Sequence, residues 1–229
     1  KLEYKKYLNK NPSIKININN KQNTINGKEI NKYFFNKNYS VKNDITFGSN
    51  SKITFNLNEN NIINNLRINT DINLESTNLS LNSQKLKKYI PNKKSNLNIK
   101  NSIINIDYAN NQKKIKSSGK YSFHSNYDNF QIDIIEINNS LLFNIDLNTQ
   151  NIDIQIPEIN YKKKSGSFSK LKLNGEYNAK KNILLNEGLY LDEFNEIKIN
   201  KLKLSKNYKI YDLESLEINF QKKNRISQV

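Results

Sequence analysis

The chain has 229 residues, with 37 Lys or Arg against 21 Asp or Glu and a formal charge of +16. It holds no cysteine and one histidine, His124, which excludes disulfides, thiolate chemistry and a histidine-based metal centre. The basic charge raises the question of nucleic acid. Only Arg67 and Arg225 are arginines suited to bidentate phosphate or base contacts, however, and the lysines are spread along the chain. No nucleic-acid partner is therefore expected.

A hydrophobic fraction of 35% and a mean hydropathy of −0.82 lean toward weak order, as does an asparagine content of roughly a fifth. Regular placement of Ile, Leu, Tyr and Phe points the other way. Residues 1–10 fit a short helical turn. Apolar and polar residues alternate at 14–18, 53–57, 66–74 and 79–81, each a strand signature. Residues 83–89 fit a second helical turn that ends before Pro91. Alternation returns at 97–99, 132–134, 143–147, 152–156, 171–173, 189–191, 197–199, 202–204, 208–210 and 216–220. Between these runs lie Asn, Asp, Ser, Gly and Lys, the residues of turns and wet tips. The pattern reads as all-β and mostly antiparallel, with at most one or two short helices.

A loose internal repeat runs through it. Residues 72–81 and 145–154 share I-x-L-x-x-x-N-[LI]-x-[LI]. Each is followed by Ile-Pro (Ile90-Pro91 and Ile156-Pro157) and then by lysines, Lys93 and Lys94 or Lys162, Lys163 and Lys164. Residues 114–121 and 170–177 share K-[IL]-K-x-x-G-x-Y. Gly119 and Gly175 keep the parity of their apolar neighbours, which fits a strand continuing through a bulge or close approach, although Asn174-Gly175 also fits a plain turn. At Pro157 the parity changes, so Ile159 and Tyr161 point where Ile152, Ile154 and Ile156 did. The lysines that follow read as a solvated connection.

Chemistry-bearing constellations are missing. His124 has parity opposite to Tyr121 and Phe123 and fits a solvent-facing position. Asp192, Glu193 and Glu196 cluster without a calcium-loop glycine pattern and read as a charged turn. Neither a phosphate-binding glycine loop nor a nucleophile–base pair occurs, so no enzyme and no cofactor is expected. No apolar run reaches membrane-spanning length. The absence of methionine reads as a processed chain or one part of a longer protein.

The stretch 147–177, with its strand ending at Ile156-Pro157, then Tyr161, Lys162, Lys163, Gly166 and a new strand, resembles the AsmA-like family of bacterial envelope proteins. The YhdP-like branch is the nearest in pattern. Residues 86–108 and 196–210 are similar to that branch as well. The resemblance implies a section of a periplasmic protein that moves phospholipid between inner and outer membrane along an apolar β-groove. It also implies an inner-membrane anchor outside this chain, and contact with both membranes through segments not present here. Periodicity alone fits a β-sandwich or barrel as readily as an open sheet, and the resemblance favours the groove.

On this reading residues 1–50 form an N-terminal β-rich segment, 51–220 the repeating β-groove and 221–229 a polar tail or the start of a further segment. About 14 strands at ~4.8 Å span on the order of 65 Å. Ile152, Ile154, Ile156, Leu171, Leu173, Leu202 and Leu204 are the expected lipid-facing residues. Lys93, Lys94, Lys162, Lys163 and Lys164 form the expected basic rim. The competing expectation is an exported or surface β-domain that binds anionic glycan or a protein partner through those lysines.

Overall fold

The computed structural model describes residues 2–5, 12–34, 39–81, 84–91, 96–109, 111–178, 182–205 and 209–220. Alternating residues need a pleated neighbour on each side, and the chain supplies it by meandering. Strands β1 (Leu2–Lys5), β2 (Ser13–Ile25), β4 (Ile45–Leu57), β5 (Ile63–Leu81), β6 (Asn96–Ala109) and β7 (Gln112–Ser122) pair in that order. The sheet goes on through β8 (Asp128–Ile137), β9 (Ser140–Asn148), β12 (Ser169–Asn178), β13 (Ile183–Asp192), β14 (Asn195–Leu204) and β15 (Ile210–Phe220). Short β3 (Tyr39–Val41) adds to the end of β5, giving one 13-stranded sheet. Each described pairing is antiparallel, and the outermost strands β1 and β15 do not meet. The sheet is thus a curved, open one and not a barrel.

Two expectations are corrected. The boundary expected at residue 50 falls inside β4, which pairs with β2 on one side and β5 on the other, so the first residues belong to the same sheet. The helical turn expected over residues 1–10 gives way at Leu2–Lys5 to β1, whose Leu2 and Tyr4 sit opposite Ile16 and Ile14. The twelve-strand path spans about 53 Å at ~4.8 Å per spacing, shorter than expected because the strands at Ile154–Ile156 and Tyr161–Lys163 lie outside it. Residues 221–229 lie outside the described residues.

A meander alternates its ends, and the two ends differ. At one end connections are tight. Asn138 and Asn139, at φ 50° and 67°, make the two-residue turn between β8 and β9 with the positive φ values that such hairpins require. At the other end three of the connections carry extra structure. Helix α1 (Gly27–Phe34) lies between β2 and β3, and α2 (Gln84–Tyr89) between β5 and β6. A separate hairpin, β10 (Ile154–Ile156) with β11 (Tyr161–Lys163), lies between β9 and β12. Asn26, which with Gly27 looks like a turn pair, instead accepts from the Lys28 backbone N–H at 2.9 Å and starts α1.

Bulges keep the apolar residues on one face. Leu74 pairs with Ser102 and Ile72 with Ile104, whereas nearer α2 Thr77 pairs with Ile99 and Leu79 with Leu97. Both strands change parity at the same level, with Asn101 at φ 49° on β6. A second such row crosses β13 and β14. There Gly188 opposes Ile199 and Leu185 opposes Leu202, with Lys201 at φ 47° between them. Gly119 and Gly175 are both mid-strand, so the turn alternative for Asn174-Gly175 is set aside. Gly119 faces Ser102, whose Cβ lies 2.8 Å from where a glycine replacement would place its own.

Candidate functional site

The hairpin β10–β11 does not extend the sheet. It folds back over the sheet's apolar face at the end that carries α1 and α2. Pro157 opens a single 3₁₀ turn to Ile159, and Asn160 at φ 52° reverses the chain so that Tyr161 pairs with Ile156. Period-2 geometry then turns Ile154, Ile156, Ile159 and Tyr161 toward the sheet, as the parity change at Pro157 implied.

Two apolar clusters result. Ile152 is buried with Tyr121 and Phe123, against Leu97, Ile99, Phe130 and Leu147. Tyr161 is buried with Tyr190 and Ile197, against Leu171 and Ile218. Tyr190 thus holds the inward position that alternation assigned to Leu189 and Leu191. Between the clusters lies a cavity of about 580 Å³, within the ~300–1,000 Å³ of small-molecule sites. Its floor comes from β6 to β9 and β12 to β14, and its roof from Ile152, Ile154, Ile156 and the Tyr89-Ile90 end of α2.

The expected lipid-facing residues divide three ways. Ile154, Ile156, Leu171 and Leu173 line the cavity. Leu202 and Leu204 lie beyond the bulge at Lys201, on the open part of the same face, opposite Leu185 and Ile183. Ile152 also borders the cavity, but at 4% exposure it is a core residue, and protein covers most of the surface offered to lipid. Ile152, Ile154 and Ile156 are part of a roof and not of the sheet.

Lys163 corrects the basic rim. It shares parity with Tyr161, two residues before it, and is buried at 6% exposure. Its ammonium donates to the carbonyls of Thr149, Gln150 and Ile152 at 2.8, 3.0 and 3.1 Å, using all three of its protons. Burial lowers its pKa below the ordinary lysine value, against the pull of Asp128, Asp153, Asp192 and Glu193. Lys162 is exposed, and the exposed Lys164 lies 3.9 Å from Asp153. Lys93 and Lys94 lie outside the described residues.

Other polar links fasten the hairpin. Thr149 and Ser169 share a hydroxyl hydrogen bond at 2.7 Å, and Tyr161 and Tyr190 share one at 2.9 Å. The Tyr161 hydroxyl also donates to Asp192, and burial pushes both tyrosines above the usual range. Burial opposes ionisation of Asp192, but donors from Tyr161, Asn195 and the Phe194 backbone hold its carboxyl below the ordinary value. Asp128, raised by burial, accepts from the Asn151 backbone and side-chain N–H groups at 2.9 and 3.0 Å. The outer end of the roof is joined to α2 by surface contacts. Gln155 donates to the Lys88 carbonyl at 2.8 Å, and Lys88 and Tyr89 both reach Glu158.

The sequence reading missed this network and the aromatic floor of Tyr121, Phe123 and Phe130. The parity of Lys163 with Tyr161 is the signal that identifies it. Among the described residues no group of three or more His, Cys, Asp or Glu is placed to hold a metal, and no helix is long and apolar enough to cross a membrane. Comparison of the chain with family models, curated proteins and solved structures finds no match.

Proposed function

We propose that this chain is a section of an AsmA-like lipid-transfer protein of the bacterial envelope, whose open sheet carries phospholipid acyl chains between inner and outer membrane. The supporting observation is a single layer of sheet with an apolar stripe across its strands and a roof at one place. None of the described residues of β2, β4 and β15 is buried, although Ile18 pairs in phase with the stripe, as do Leu213 and Leu216. Those three are 51%, 39% and 47% exposed. A face of this kind loses about 25 cal/mol per Å² while it stays wet, and acyl chains would relieve that cost. In this reading the protein binds lipid without catalysis or cofactor. It stands in the periplasm, anchored in the inner membrane by a segment outside this chain. The rival reading, anionic glycan or a protein partner on a lysine rim, is weakened because Lys163 is internal and Lys162 and Lys164 lie beside Asp192 and Glu193.

The test places a photo-crosslinking residue at Ile53 or Leu216, with Lys52 on the polar face as control, in protein expressed in a double-membraned bacterium. Lipid adducts at the first two and not at Lys52 are expected. Adducts at none of them, or at all alike, sink the reading.

A further inference from the structure

We infer that the cavity beneath the hairpin receives the end of one hydrocarbon chain and is indifferent to the headgroup attached to it. The inference rests on the lipid-carrying reading and specifies what this end of the apolar face takes. Among the described residues no charged side chain lines the cavity. Four lining residues carry a side-chain hydroxyl, and each is turned to a protein partner. Tyr121 donates to the Asn148 carbonyl at 2.7 Å, Thr149 is bonded to Ser169, Tyr190 to Tyr161, and Tyr89 to Glu158. Among the described residues a ligand inside therefore meets hydrocarbon and ring faces, with no free donor or acceptor to read a headgroup.

Volume selects the number of chains. A methylene displaces about the ~30 Å³ that a water molecule fills in the liquid. The cavity's 580 Å³ then matches one long acyl chain. The buried network around Lys163, Tyr161 and Asp192 fixes the roof, and a charged headgroup would lose its hydration beneath it, so it stays outside, toward the open face. Gly188 leaves room in the floor. A side chain there would first meet Leu185 Cδ2 at 3.0 Å, the mobile end of a leucine, and Gly188 lacks the positive φ that would bar substitution.

The experiment measures displacement of N-phenylnaphthylamine from the full chain by fatty alcohols, fatty acids and lysophosphatidylcholines of about eight to eighteen carbons. Affinity should rise roughly threefold to fourfold per methylene, level off near one long chain, and differ less than about threefold between headgroups at equal length. Gly188→Leu should weaken binding at least tenfold while far-UV circular dichroism and the urea midpoint stay near wild type. Ile132→Trp, from the neighbouring floor, serves the same purpose if Gly188→Leu does not fold. A headgroup preference above about tenfold overturns the inference, as does unchanged binding in a folded variant. If no amphiphile binds while lipid still crosslinks at Ile53 or Leu216, the cavity inference fails and the lipid-carrying reading stands. Loss of both removes both.

Discussion

Lys163 sits in the middle of a lysine triplet, yet only its neighbours are solvated. Replacing it with methionine takes charge-assisted donors from Thr149, Gln150 and Ile152. Thr149 and Gln150 keep backbone donors from Ile152 and Gly166, so the loss should be about 2 kcal/mol, near the lower end for such bonds. Lys164→Met, at 87% side-chain exposure, should change the urea midpoint by less than about 0.5 kcal/mol equivalent. Equal effects at the two positions would contradict the cage. Asp192 adds a pH signature. Its folded pKa is held below the unfolded value of about 3.9, so its contribution is complete above that pH and is lost as pH falls through the folded value. Asp192→Asn should therefore cost about 1–3 kcal/mol at pH 7, and the gap to wild type should close as the medium is acidified below about pH 4. Asp128, whose pKa is raised, has the opposite sign, so the difference between wild type and variant isolates Asp192 better than either curve alone.

Bulges are the devices that let long strands keep one apolar face, and Ser102 with Gly119 shows how tightly one is built. Gly119→Ala would drive its methyl into the Ser102 side chain, which is itself buried at 2% exposure, so one strand must shift. A loss of about 1–3 kcal/mol in urea unfolding is expected, as for overpacking. Part of it should return in the Gly119→Ala/Ser102→Gly pair, and strict additivity would mean that the two do not meet. This element was partly legible: the parity of Gly119 with Ile115 and Tyr121 fits a strand running through a bulge, a bend or a close approach, and the structure shows the close approach to Ser102. The place of Ile152, Ile154 and Ile156 was not. Three alternating isoleucines look the same in a sheet and in a hairpin lying on one, because alternation reports which side is apolar and not which partner covers it. Helix α1 was missed because Asn26-Gly27 serves turns and helix starts alike.

Across the whole molecule, a one-layer meander makes stability local. Each strand depends on its two neighbours and on whatever lies above it, much as a repeat depends on adjacent repeats. The roof covers only part of the path, seating Tyr121, Phe123 and Ile152 in one cluster and Tyr161, Tyr190 and Ile197 in the other. Strands β7 to β9 and β12 to β14 gain that burial, about 1.5–3 kcal/mol for each large side chain fully covered. Strand β15 has one neighbour and exposes Ile210 and Tyr211 at 64% and 55%. The long-range order that alternation announced is thus present across the described strands, but its strength depends on the roof, which alternation could not locate. Hydrogen exchange of the full chain should show it. Amides of β8, β9 and β12 should exchange through the rarest openings, those of β2 and β15 through openings at least ten times more frequent, corresponding to about 1.4 kcal/mol or more. Asp192→Asn, which loosens the roof, should raise exchange in β12 and β13 and leave β2 and β4 unchanged. Uniform protection, or a uniform response to that variant, would mean that the sheet unfolds as one cooperative unit and that the roof organises nothing locally.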